Sequence, residues 1–411
     1  MNDTTPTTTA ADADVVSPKA WKALWGSAVG YCMDGFDLMI LGFMIVAITK
    51  DLSLTPQEGS WWVWATTTGA VAGGFLFGSL SDKYGRIKVL TWTILLFAVF
   101  TFACGLAQGF WDMLIYRFIS GLGLGGEFGI GMALVAEAWP ASKRARASSY
   151  VGLGWQAGVL AATLAVWFIM PLVGWRGMFM IGVFPAFVAF IIRRTLHEPD
   201  IFIEKTKDKP SELAIPLLYA DTETTKRSIG MLILCSVQNF GYYGVLIWLP
   251  SYLDKALKLG IMGSSTWTAV TIIGMALGIF TFGHVADRIG RRPSFFIWMI
   301  MAAVTVVVYS QLSSRGALLV GGAVMGFFIN GMLGGYGALM SELYPTQARA
   351  TAQNVLFNCG RFLGGFGAVV VGYMVNSYGF QTAVALLAVL YIIDLIAMYF
   401  LIPEKMGAEL E

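Results

Sequence analysis

Charge is scarce in this sequence. Lys, Arg, Asp and Glu make up 13% of the 411 residues, about half the share of a soluble domain, so they cannot cover a water-facing surface. Cysteine is scarcer still. Cys32, Cys104, Cys235 and Cys359 are scattered through apolar runs, which excludes a secreted disulfide scaffold and reads as packed thiols. Two histidines and no cysteine cluster leave little material for a metal site. A net charge of +2 without a long basic tract excludes nucleic acid as a partner. No basic segment precedes the first apolar run, so a cleaved secretory signal is not expected, and the polar stretch TTPTTTAADAD reads as a disordered tail. What is abundant is apolar. Hydrophobic residues make up 57%, with 48 glycines and 14 tryptophans, which suits packed membrane helices and their interfacial belts.

A span needs about 20 mainly apolar residues. That rule predicts twelve spans, at 21–49, 59–81, 88–108, 112–137, 147–170, 176–196, 228–253, 264–284, 293–311, 316–340, 351–374 and 380–403. The expected organisation is therefore a tail over 1–20, a six-helix bundle over 21–196, a charged linker over 197–227, a second bundle over 228–404 and a tail over 405–411. With both termini cytosolic, Lys50, Arg176, Lys255, Lys258 and Arg315 face outward, Arg117 and Arg361 lie inside spans, and every other Lys and Arg is cytosolic. That is the bias of the positive-inside rule.

The chain also repeats itself. GSLSDKYGRIK from Gly78 returns as GHVADRIGRR from Gly283, and EAWPASKR from Glu137 returns as ELYPTQAR from Glu342, both at an offset of 205. Asp82 matches Asp287, Arg86 matches Arg291, and Arg144 matches Arg349. Parallel repeats about an axis along the membrane normal place a site near the midplane between the halves.

On these motifs the sequence resembles the major facilitator superfamily over essentially its whole length. GSLSDKYGRIK is similar to that superfamily's signature loop, and Arg117 with Gly121, Gly123, Gly125 and Gly126 to its fourth-helix motif. MDGFDLMILGF resembles the acid–proton symporters, and GLGLGGEFG with AEAWPASKRARAS resembles their sialate–proton group, which includes lactate and pyruvate carriers. The two extra central helices of some sialate carriers are absent. So is the fifth-helix glycine-proline motif of antiporters, where GLGWQAG around Gln156 stands instead. The resemblance implies an all-α membrane protein, twelve transmembrane helices in two pseudo-symmetric six-helix bundles, working as a monomer.

A charge at the bilayer centre costs about 2.5–3.5 kcal/mol, so each one there needs a partner, a cavity or a task. Asp34 and Asp37 lie three residues apart on the first helix and are expected to titrate as a pair, suiting a proton carrier; alternatively one simply pairs with a basic residue. The resemblance puts Arg117 near these acids, as a static ion pair or as a cation that trades places with a proton. Glu127 sits among glycines, as a second protonation site or as a neutral packed acid. At the repeat offset, Asp34, Asp37, Arg117 and Glu127 map to Asn239, Tyr242, Gly322 and Met332, while Gln156 maps to Arg361. The first half thus reads as the proton-handling half and the second as the anion-binding half.

Asn354, Asn358 and Arg361 form one polar stripe on the eleventh helix. The guanidinium fork matches a carboxylate, and Asn358 could hold a further substrate oxygen; the alternative is a structural arginine. Gln238, Asn239, Tyr242 and Tyr243 add a weaker polar stretch on the seventh helix. Gly78, Asp82, Arg86, Glu137 and Arg144, with Asp287, Arg291, Glu342 and Arg349, read as gating parts that pair and separate. His284 and Asp394 read as structural, Asp394 also as a lipid-boundary group. Trp61, Trp62 and Trp64 read as interfacial anchors, with Trp62 at most a rim contact. No nucleophile with its base is present, so no enzyme is expected. The expected function is import of an organic anion, a sialic or sugar acid or a monocarboxylate, with protons by alternating access. The rivals are an aromatic-acid symporter, an anion exchanger and a proton-coupled efflux antiporter. The expected partners are that anion, protons and the lipid of a bacterial inner membrane, with no cofactor beyond the proton gradient.

Overall fold

The computed structural model describes residues 15–181, 184, 187, 191, 195–206, 214–257, 260–408 and 410. The first half holds α1 (Pro18–Asp51), α2 (Pro56–Tyr84), α3 (Arg86–Cys104), α4 (Phe110–Ala138), α5 (Arg144–Phe168) and α6 (Met170–Met180). The second holds α7 (Thr222–Leu257), α8 (Gly260–Ile289), α9 (Arg291–Ser310), α10 (Arg315–Leu343), α11 (Arg349–Tyr378) and α12 (Phe380–Leu401). α10 is two pieces, Arg315–Gly331 and Leu333–Leu343. Among the described residues no strand occurs, and eleven helices are long and apolar enough to cross a membrane. Of the 21 residues of the expected sixth span, 176–196, ten lie outside the described residues.

Local chemistry sets the ends. Ser17 caps α1 by accepting from Ala20 N–H at 3.1 Å, with Pro18 at the first helical position. The first helix thus starts inside the expected tail, and residues 1–14 are outside the description. Thr55 and Glu58 form a capping box at α2. The turns from α2 to α3 and from α8 to α9 are single glycines, Gly85 at φ 110° and Gly290 at φ 104°, values that a side chain disfavours. The linker carries a short helix, Asp200–Thr206, and a tight turn, Ile215–Tyr219, and α7 begins at Thr222, inside the expected linker.

Within each half the packing is the same under a shift of six helices. α1 packs on α5 and α2 on α4; α7 packs on α11 and α8 on α10. The halves meet where α2 lies against α11 and α5 against α8, with α4 also touching α11. The end bearing the Gly85 and Gly290 turns is called the loop face below.

Candidate transport site

Asp34 and Asp37 are one turn apart on α1, but their neighbours separate them. Arg117 of α4 donates to both Asp37 oxygens, Nη1 to Oδ1 at 2.9 Å and Nη2 to Oδ2 at 2.7 Å. Thr101 Oγ1 donates to Oδ1 at 3.1 Å, and Arg117 Nε donates to Thr66 Oγ1 at 3.1 Å. Both charges are buried and each has a full set of partners, the arrangement in which a buried ion pair is tolerated.

Asp34 has a different partner. It is 0% exposed, and neither of its oxygens receives a hydrogen bond from a described donor. The carboxyl within hydrogen-bonding reach of it belongs to Glu127 of α4, also buried and also without a donor. Gly30, one turn before Asp34, makes the room, because a side chain there would strike Glu127 Oε1. Two facing carboxyls with no other donor need a shared proton to stay together. The expected Asp34–Asp37 pair is therefore replaced by Asp34–Glu127. Three residues along a helix is not quite a full turn, so the two aspartates point at different neighbours.

Arg361 of α11 lies close enough for its charge to act on Asp34. Its guanidinium is buried over the rings of Trp155 and Phe357, each centroid 5.1 Å away; no carboxylate pairs with it among the described residues, and the Tyr31 hydroxyl is within reach of it. These three residues border a cavity between the halves that is closed by Tyr31, Tyr242 and Tyr243 and by the amides of Gln238, Asn239 and Asn330. Its free space fits about one water. Trp155 Nε1 donates to Tyr242 OH at 3.2 Å, and Gln238 Nε2 donates to Asn330 Oδ1 at 2.6 Å.

Gln238, Asn239, Tyr242, Tyr243 and Arg361 thus line one cavity, together with Tyr31 and Trp155 of the first half. Asn354, Asn358 and Gln156 do not line it. Asn354 and Asn358 bond the backbone of α4, and Gln156 is buried with neither amide atom partnered. Tyr31, Trp155, Asn330 and Phe357 went unread in the sequence. Asn330 carried a signal, being a lone amide in an apolar helix; the three aromatics look like any core residue.

On the loop face, two sets of charges repeat. Arg86 pairs with Asp82 and with Glu137, the latter at 2.9 Å, while Arg349 reaches across to Glu137 at 2.8 Å. Asp82 accepts from Thr351 N–H at 2.8 Å at the start of α11, across the interface. In the second set, Arg291 pairs with Asp287 and Glu342 at 2.8 Å each, and Asp287 accepts from Ala145 N–H at 3.0 Å at the start of α5. Arg144 and Glu342 are 3.7 Å apart. Gly78 lets α2 lie against Thr351 of α11. Two carboxylates went unread: Glu198 accepts from Arg86 N–H at 2.8 Å, and Glu404 from Arg292 N–H at 2.7 Å, each capping the helix that follows a glycine turn. Hydrogen bonds between the halves run from Trp155–Tyr242 to the loop-face charges, so this end is closed.

Two structural expectations change. Trp62 is 0% exposed and donates to Phe110 O at 3.2 Å, so it is a core residue and not a rim anchor, while Trp61 and Trp64 are exposed. Asp394 faces the core at 0% exposure, away from any lipid boundary. His284 fits its structural reading, with Nδ1 at 2.9 Å from Phe280 O.

The family model described as Major Facilitator Superfamily matches residues 27–269 and 257–409. The chain belongs to the Major Facilitator Superfamily. It is an integral membrane transporter of small molecules and not an enzyme. It is 60% identical to a metabolite-transport candidate of Haemophilus influenzae, over 96% of this chain and 99% of the other. It is 29% identical to the sialic acid transporter NanX of Escherichia coli, over 95% and 96%. Among solved structures, the proton:xylose symporter XylE superposes with a TM-score of 0.78 at 17% identity, over 96% of this chain and 98% of the other. That likeness concerns the fold.

Proposed function

We propose that this chain imports an organic anion together with protons by alternating access across a bacterial inner membrane, with the loop face and both termini in the cytosol. The observation that carries the reading is the meeting of two unlike sites between the halves. The Asp34–Glu127 carboxyl pair, poised for a proton, lies within electrostatic reach of Arg361, which has no ion-pair partner among the described residues. A substrate carboxylate on Arg361 relieves that unpaired cation and withdraws it from Asp34, so anion and proton favour each other's binding. The Asp37–Arg117 pair holds α1 to α4 in this scheme. The loop-face charge sets close the cytosolic side and separate when it opens. A monoanion with one proton moves no net charge; a second proton adds about 2.3 kcal/mol per 100 mV.

The substrate is a carboxylate such as a sialic or sugar acid or a monocarboxylate, in keeping with the similarity to NanX. A second reading, an aromatic acid, is favoured by the rings of Tyr31, Trp155, Tyr242, Tyr243 and Phe357 around the cavity, on which a planar acid would stack. The test is external pH in a lightly buffered, de-energised suspension of cells expressing the protein. A sialate, a sugar acid, lactate and a benzoate are added in turn. Alkalinisation with one of them, absent in Asp34→Asn/Glu127→Gln, names the substrate class and the proton site together. Entry of labelled anion with no pH change would make the protein a uniporter or an exchanger and return the carboxyl pair to structure.

A further inference from the structure

The two asparagines that stand outside the cavity make an unusual contact. In a regular helix the N–H of residue 129 bonds to the C=O of residue 125. Within the unbroken helix α4, both groups also bond to the other half. Gly129 N–H donates to Asn354 Oδ1 at 2.6 Å, and Asn358 Nδ2 donates to Gly125 O at 2.8 Å. Asn354 and Asn358 are themselves one turn apart on α11, so two amides from one helix span one turn of the other. Both are buried, at 0% and 1% exposure. The glycine at 129 is what admits them, because a side chain there would collide with Asn354. Beside the contact, Phe128 stacks on Phe357 at 3.8 Å.

The residue in the middle of the clasped turn is Glu127. The clasp therefore holds the backbone of the proton-site residue, and it does so from α11, which carries Arg361 less than one turn further on. It is also a contact between halves, so it exists only while the loop face is closed. Parting of the halves would remove both amide bonds and release the turn that bears Glu127.

We propose that Asn354 and Asn358 are positioning residues for proton coupling, holding the α4 turn so that Glu127 meets Asp34 only while the loop face is closed. This rests on the reading of Asp34 and Glu127 as the proton site. The titratable group acting on Glu127 directly is Asp34 of α1; through Asp34 come Arg361 of α11 and Asp37 of α1. Among the described residues, α2, α3 and α5 bring no charged side chain to Glu127.

The test needs no substrate. The full chain in lipid is titrated with acid while the infrared band of protonated carboxyls is followed, and Glu127→Gln assigns the share that belongs to the pair. Asn354→Ala and Asn358→Ala should each move half-titration of that band to about threefold higher proton concentration, the size of a typical hydrogen bond between membrane helices, and the double variant to about tenfold. The single variants each retain one bond, which keeps the test open if the double variant does not fold. An unmoved midpoint in both single variants, with Glu127→Gln still removing its share of the band, overturns the clasp and leaves the proton site standing. A band unchanged by Glu127→Gln overturns both.

Discussion

The Asp37–Arg117 pair separates two roles for an intramembrane aspartate. Asp37→Asn keeps the volume and an oxygen that can still accept from Thr101, but it removes the charge that both guanidinium nitrogens bind, at 2.9 and 2.7 Å. Arg117 is then a fully buried cation left with neutral acceptors, Thr66 among them. Leaving one member of such a pair uncompensated costs about 3–5 kcal/mol. Arg117→Met should cost about as much, by stranding the carboxylate. The double variant strands neither charge, so its loss should be close to that of one single change, giving a coupling of about 3 kcal/mol. The assay is reversible denaturation of the purified chain in detergent for the four members of the cycle, with substrate-driven alkalinisation measured alongside. A coupling below about 0.5 kcal/mol would refute the argument. Loss of proton coupling in a stable Asp37→Asn variant would restore Asp37 as a proton carrier.

Other outcomes follow from the same geometry. Asp34→Asn and Glu127→Gln should each abolish uphill accumulation while exchange of labelled anion persists; wild-type accumulation in either sinks the shared-proton site. Arg361→Lys should weaken apparent substrate affinity about tenfold, because an ammonium offers no planar fork and does not stack between Trp155 and Phe357; unchanged affinity removes Arg361 from the substrate site. Glu137→Gln should loosen the loop face more than Glu342→Gln, since Glu137 bonds arginines of both halves at 2.9 and 2.8 Å whereas Glu342 is 3.7 Å from its cross-interface arginine. Hydrogen exchange at the Thr351 and Ala145 amides, which donate across the halves, reads this, and equal rates in the two variants would refute it.

Much of this molecule is legible in one dimension. Segment length and hydropathy reveal the spans, because a bilayer demands about 20 apolar residues whatever the fold. The offset of 205 reveals the two halves, because a duplicated gene keeps its turn glycines and gate charges where the geometry needs them. Rarity alone singles out Asp34, Asp37, Arg117, Glu127 and Arg361, since each would be costly without a partner.

Which partner each one takes was not legible. Asp34 and Asp37 look like one pair on a helical wheel, yet α4 supplies Arg117 to one and Glu127 to the other. Asn354, Asn358 and Arg361 look like one stripe, yet the bundle contact takes the two amides and leaves the arginine to the cavity. Periodicity reports only the face from which a side chain leaves its own helix. The group it meets depends on the neighbouring helix, its register and the glycines that let it approach. Those are set by packing between segments far apart in the chain, and there tertiary structure alone decided.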